Sequence, residues 1–170
     1  MADELKAQAE IRKDITEAGG YAFKLTNRFT IGIPDLGVWL SPFVPCVIEV
    51  KDFGIVKDGF DRDIGTTPKQ RDVMRRMSEA YDRKHTVAGV VVHARAGAAR
   101  RLYCFRWDAL RGADGAPYVE RTRGGRWDVH ALLGHLGVSR FTDRLCPQTG
   151  RRCEKDICVF KVECGLNVKD

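Results

Sequence analysis

The stretch TVAGVVVHA, residues 86 to 94, constrains this chain most. Its apolar run is nearly continuous and rich in β-branched residues. A strand of that kind is covered on both faces and sits near the middle of a sheet. The segment RRLYCFRW (100 to 107) reads as its hairpin partner. Helices must then supply the covering layers. Residues 3 to 18 hold no Pro or Gly and are rich in helix formers, with Leu5, Ala9, Ile11 and Ile15 offered as an apolar face ended by Gly19-Gly20. Thr66-Thr67-Pro68 reads as a second helix start, and Val73, Met77 and Tyr81 fall at the spacing of one buried stripe.

Strands are expected at 21 to 26, at 31 to 40 and over Val47 to Val50, with Pro42 and Pro45 marking a turn. Residues 52 to 66 read as a Gly- and Asp-rich loop beside the strand that precedes it, placed to clasp a substrate. YVERTR-GG-RWDV reads as a hairpin turning at Gly124-Gly125, and HALLGHLG as a short helix that Gly137 stops. The order predicts an α/β fold with a central mixed sheet flanked by helices. A boundary near residue 140 separates a domain over 1 to 140 from a cysteine-rich tail over 141 to 170. No apolar run approaches a membrane span, and the N-terminus has no apolar signal core, so a cytoplasmic protein is expected.

Against this background Asp35, Glu49 and Lys51 stand out, since ionic groups in apolar strands are costly without a partner. Glu49 and Lys51 are two apart and share a face, with Val50 pointing into the core. If the Asp35 segment pairs with the Glu49 strand, two carboxylates and an ammonium converge. Two such carboxylates form a hard oxygen site suited to Mg²⁺ or Mn²⁺, and the chemistry that site supports is metal-assisted hydrolysis of a phosphodiester. The bland alternative is a Glu-Lys pair on an exposed edge.

Gly32-Ile33-Pro34-Asp35, Glu49-Val50-Lys51 and Thr67-Pro68-Lys69-Gln70 occur in that order, after a first helix carrying Glu4, Gln8 and Ile11. This set resembles the PD-(D/E)XK nuclease superfamily, and more closely its small resolvase-like and VRR-NUC-like members. The resemblance covers roughly residues 4 to 94. It implies a restriction-endonuclease-like core in which Asp35, Glu49 and the Val50 carbonyl hold Mg²⁺ or Mn²⁺. It implies that Lys51 positions the attacking water and that Gln70 contacts water or phosphate. Glu4 would be the additional acid from the first helix, with Glu10 as its rival.

The net charge is +6, and residues 91 to 170 carry the whole excess. That half is the expected polyanion-binding surface, with Arg121, Arg123, Arg126, Arg151, Arg152 and Lys155 as the candidate phosphate contacts. Cys146, Cys153, Cys158 and Cys164 crowd into the tail, and four thiolates suffice for Zn²⁺ or for a [4Fe-4S] cluster. Their spacing partly resembles the cluster loop of helix-hairpin-helix DNA glycosylases. Cys46 and Cys104 read as plain buried thiols, and His93, His130 and His135 as structural residues. The leading expectation is a metal-dependent nuclease acting on DNA, as a monomer or homodimer, without a sequence code. Two other classes stay open: a catalytically silent nucleic-acid-binding or adaptor protein on the same fold, and a redox or iron-sensing protein centred on the tail.

Overall fold

The structure, a computed structural model, describes residues 2–25, 31–56, 60–81, 88–113, 115–121 and 124–138. The tail from 139 onward, with Cys146, Cys153, Cys158, Cys164, Arg151, Arg152 and Lys155, lies outside the described residues, as does Arg123. Among the described residues, three helices flank a six-stranded mixed sheet. The elements are α1 (Ala2–Glu17), β1 (Tyr21–Lys24), β2 (Leu36–Trp39), β3 (Cys46–Ile55), α2 (Pro68–Tyr81), β4 (Ala88–Ala96), β5 (Ala99–Arg106), β6 (Tyr118–Arg121) and α3 (Val129–His135). The strands lie in sequence order, and every neighbouring pair is antiparallel except β3 and β4. A parallel pair needs a crossover, and α2 lies in the connection from β3 to β4.

The alternation of side chains across the sheet makes two cores. On one face Leu36, Ile48, Val50, Val91, Leu102 and Val119 meet Ala7, Ile11 and Ile15 of α1 and Leu132, Leu133 and Leu136 at α3. On the other, Val90, Val92, Ala94, Tyr103 and Phe105 meet Met74 of α2 with Phe60 and Ile64. β4 contributes to both, as its continuous apolar run requires. Cys46 and Cys104 are free and buried, and burial pushes the Cys46 thiol up to about 12.

Four local expectations are corrected. The buried stripe of α1 is Ala7, Ile11 and Ile15, and Leu5, about 200° round the helix from Ala7, is 53% exposed. The deepest residues of α2 are Met74 and Ser78, with Val73 and Met77 at the margin. Residues 52 to 55 continue β3, paired to β4 through a register shift between Asp52 and Ile55 beside Gly54 at φ 65°. The described part of the supposed clasp, 60 to 66, is pinned instead: Phe60 and Ile64 are buried, and the Ile64 N–H donates to the Leu110 carbonyl at 3.1 Å. Finally, among the described residues no strand follows Gly124-Gly125 to complete a hairpin. The Trp127 N–H donates to the buried Asp14 carboxylate at 2.8 Å rather than to a strand, and Asp128 caps α3 by accepting from the Ala131 N–H.

Candidate active site

Asp35 precedes β2 by one residue. Leu36 pairs with Ile48, which sets Asp35 at the level of Glu49. The Val50 N–H donates to Asp35 Oδ2 at 2.8 Å, and the Leu25 N–H donates to its carbonyl at 2.8 Å. Asp35 is thus held by backbone on both sides. Gln8, buried on α1, adds a side-chain hydrogen bond to the same carboxylate.

Glu49 points from the middle of β3 with a side chain only 3% exposed, and Lys51 Nζ sits 2.6 Å from its Oε1. The Lys51 side chain is 18% exposed, so the ammonium marks the open side of the pair. Gln70 Nε2 donates to the same Glu49 oxygen. Gln70 is fixed from behind by a reciprocal cap: its Oε1 accepts from the Thr67 N–H at 2.9 Å, and its own N–H donates to Thr67 Oγ1 at 3.2 Å. Gly32, at φ 94°, brings the Asp35 loop against this helix start. A Cβ there would lie 2.9 Å from the Lys69 carbonyl carbon, closer than side chains pack.

Asp35 disfavours the ionised forms of both Glu49 and Glu4. Burial, then the neighbouring Asp35 charge, pushes Glu49 up to about 7. Burial raises Asp35 as well, partly offset by the Val50 N–H and by Lys51 and Lys24. Glu4 is raised by burial and by Asp35, which places it in the field of the site. Glu10 lies elsewhere, paired with Arg100 and with Arg121 at 2.7 Å each.

Among the described residues no three His, Cys, Asp or Glu side chains converge closely enough to hold a metal by themselves. The donor set at Asp35 and Glu49 is two carboxylates with the Val50 carbonyl nearby in the chain. Glu49 Oε2 is buried and has no hydrogen-bond partner in the protein. An orphaned, buried carboxylate oxygen among acids of raised pKa fits a divalent ion that keeps most of its water and takes one or two carboxylates, as Mg²⁺ does.

Behind the site runs a half-buried ionic chain that the sequence does not announce. His93, beside Asp52 in the β3–β4 register, has Nδ1 at 2.7 Å from Asp52 Oδ1. Arg100 Nε donates to His93 Nε2 at 3.0 Å, and Arg100 continues to Glu10. Burial keeps His93 below its ordinary pKa, and the neutral ring is the form that can donate to Asp52 while accepting from Arg100. Arg100 and Arg121 both lie over the Trp127 ring, 5.5 Å from its centroid. Arg121, expected as a phosphate contact, is turned toward Glu10 and the Trp127 ring. Arg126 stays on the surface and pairs with Glu17 at 3.0 Å. Only the short spacings, Glu49 to Lys51 and Thr67 to Gln70, are signals a sequence displays. Gln8 is visible only as the middle of the Glu4–Gln8–Ile11 spacing.

No protein-family model matches the chain, and no curated protein matches it. Among the described residues no helix is long and apolar enough to cross a membrane.

Proposed function

We propose that this protein is a divalent-metal-dependent deoxyribonuclease on a PD-(D/E)XK-type core, hydrolysing DNA phosphodiester bonds with selectivity for structure or ends rather than sequence. The observation that carries the reading is the convergence of Asp35, Glu49 and Lys51 from two adjacent strands, with one Glu49 oxygen buried and unpartnered. Asp35, Glu49 and the Val50 carbonyl would hold Mg²⁺ or Mn²⁺, which polarises a phosphoryl oxygen and lowers the pKa of bound water.

The other work falls to the chain. The Val50 N–H and Gln8 hold the Asp35 carboxylate in one orientation. Gln70, braced by Thr67, does the same for Glu49. Lys51 stands on the solvent side of Glu49, where its ammonium can orient a water for attack and offset the charge that builds on the phosphate. Glu4 adds an acid at the mouth of the site. The four tail cysteines belong to the same proposal as a structural Zn²⁺ or [4Fe-4S] site, and metal analysis of the purified chain distinguishes the two.

The test is cleavage of labelled single-stranded, duplex and four-way-junction DNA with Mg²⁺ or Mn²⁺, wild type against Asp35→Asn. The expected result is cutting that requires the ion and falls at least about a hundredfold in the variant. Equal cutting by both proteins, or none by either, overturns the proposal.

A further inference from the structure

Three aromatic rings line the outer end of the sheet. Phe23 stacks on Trp39 with centroids 4.7 Å apart and planes 15° from parallel, and Tyr21 stacks on Phe23 at 5.9 Å. Soluble domains normally bury such rings, yet Tyr21 is 64% and Trp39 44% exposed. The arrangement depends on Gly37. A Cβ there would sit 2.5 Å from the Phe23 ring, so glycine is what lets that ring lie across β2. Beside the stack an apolar cleft of about 300 Å³ is lined by Phe23, Gly37, Trp39, Val47, Met77 and Ala80.

Register places this stack on the chemical face of the sheet. Tyr21 pairs with Trp39, Phe23 with Gly37, and Gly37 with Val47. Val47, Glu49 and Lys51 alternate onto one face of β3. The rings therefore share a face with Glu49 and Lys51, and Gly37 stands two residues, about 7 Å, along β2 from Asp35. Lys24, which ends β1 and is exposed, pairs with Leu36 and so projects from the opposite face.

We propose that Tyr21, Phe23 and Trp39 form a base-stacking platform that takes unpaired nucleotides of a single-stranded DNA segment and leads its backbone along this face to the Asp35–Glu49–Lys51 site. The proposal rests on the nuclease reading and gives that site its substrate class: strands with an unpaired segment next to the scissile bond. Flat rings in near-parallel stacks offer π-faces to any base, and Lys51, on the same face, is the cation toward which the phosphates run. A second copy of the chain fits less well. β1 is the edge strand, but it is short and ends in Lys24, which opposes strand-to-strand pairing.

The test is anisotropy binding of the full chain, in EDTA, to a labelled oligothymidylate strand and to a blunt duplex of equal length. Wild type is compared with Trp39→Ala, Tyr21→Ala and Trp39→Phe, with thermal melts as the folding control. Trp39→Ala and Tyr21→Ala should each lose roughly five- to a hundredfold in single-strand affinity, with Trp39→Phe close to wild type and duplex affinity within about twofold throughout. Unchanged single-strand affinity, or an equal loss on both probes, overturns the platform. So does a wild-type dimer, seen by light scattering, that Tyr21→Ala dissociates. Because EDTA prevents cleavage, the two readings fail separately. Trp39-dependent strand binding without cutting in the Asp35 assay removes only the nuclease, and cutting with no such preference removes only the platform.

Discussion

Glu49→Gln should make the metal-free protein more stable at high pH, although it deletes an ion pair. In the folded chain the Glu49 pKa rises from an ordinary 4.5 to about 7, first through burial and then through the Asp35 charge. Between those two values the folded chain keeps a proton that the unfolded chain has released, so stability falls as pH rises through that window. At 1.36 kcal/mol per pH unit, ionising this group costs about 3 kcal/mol above pH 7. Glutamine removes that cost. Its carbonyl can still accept from Gln70, and Lys51 keeps contact with solvent. Urea unfolding in EDTA at pH 5 and pH 8 reads the effect. The variant should match wild type within about 1 kcal/mol at pH 5 and exceed it by up to about 3 kcal/mol at pH 8. The difference between the two proteins is the quantity to follow, because His93 pulls the wild-type slope the other way. Its pKa is lowered in the fold, so its share of stability is lost as pH falls below about 6.5. A variant less stable than wild type at pH 8, or a difference independent of pH, would refute the account of Glu49 as a strained anion.

Mn²⁺ should raise the melting temperature of wild type at pH 8 more than at pH 5, and should do little for Glu49→Gln; calorimetry showing equal shifts in both proteins places the ion elsewhere. Gly32→Ala should cost about 1–3 kcal/mol by urea unfolding, since φ 94° disfavours alanine and its Cβ meets the Lys69 backbone. His93→Ala should cost about 2–4 kcal/mol because it leaves Asp52 and Arg100 facing each other across a gap. Arg106→Ala, which breaks an exposed pair with Asp108, should stay within about 0.5 kcal/mol in the same assay.

The elements that were legible in the sequence are those whose burial pattern is local. TVAGVVVHA declares a two-faced strand by itself, and Thr67-Pro68-Lys69-Gln70 carries a cap that closes within its own turn. Where the reading failed, a distant partner had overridden the local signal. Gly124-Gly125 looks like a hairpin turn, but Asp14, far back on α1, holds the Trp127 N–H and Asp128 opens α3, where a returning strand would have run. Asp52-Phe53-Gly54 looks like loop, but β4 supplies hydrogen-bond partners that carry the strand on to Ile55.

The site divides the same way. Glu49 and Lys51 announce themselves, because two residues along a strand is one face whatever the fold. Their supporting residues do not, since the contacts of Gln8, His93, Arg100 and Glu10 span from seven to ninety positions. That division has a physical consequence for the proposed chemistry. The acids sit at raised pKa on a rigid central strand, while α1, which brings Gln8 and Glu4 to them, is clamped to the sheet through Glu10 and Arg100. Loosening the clamp should therefore reach Asp35 through Gln8, and β3 through His93 and Asp52. The half-buried ionic chain is then part of what keeps the carboxylates aimed, and its cost in desolvation is met by holding a first helix whose own apolar stripe is only Ala7, Ile11 and Ile15.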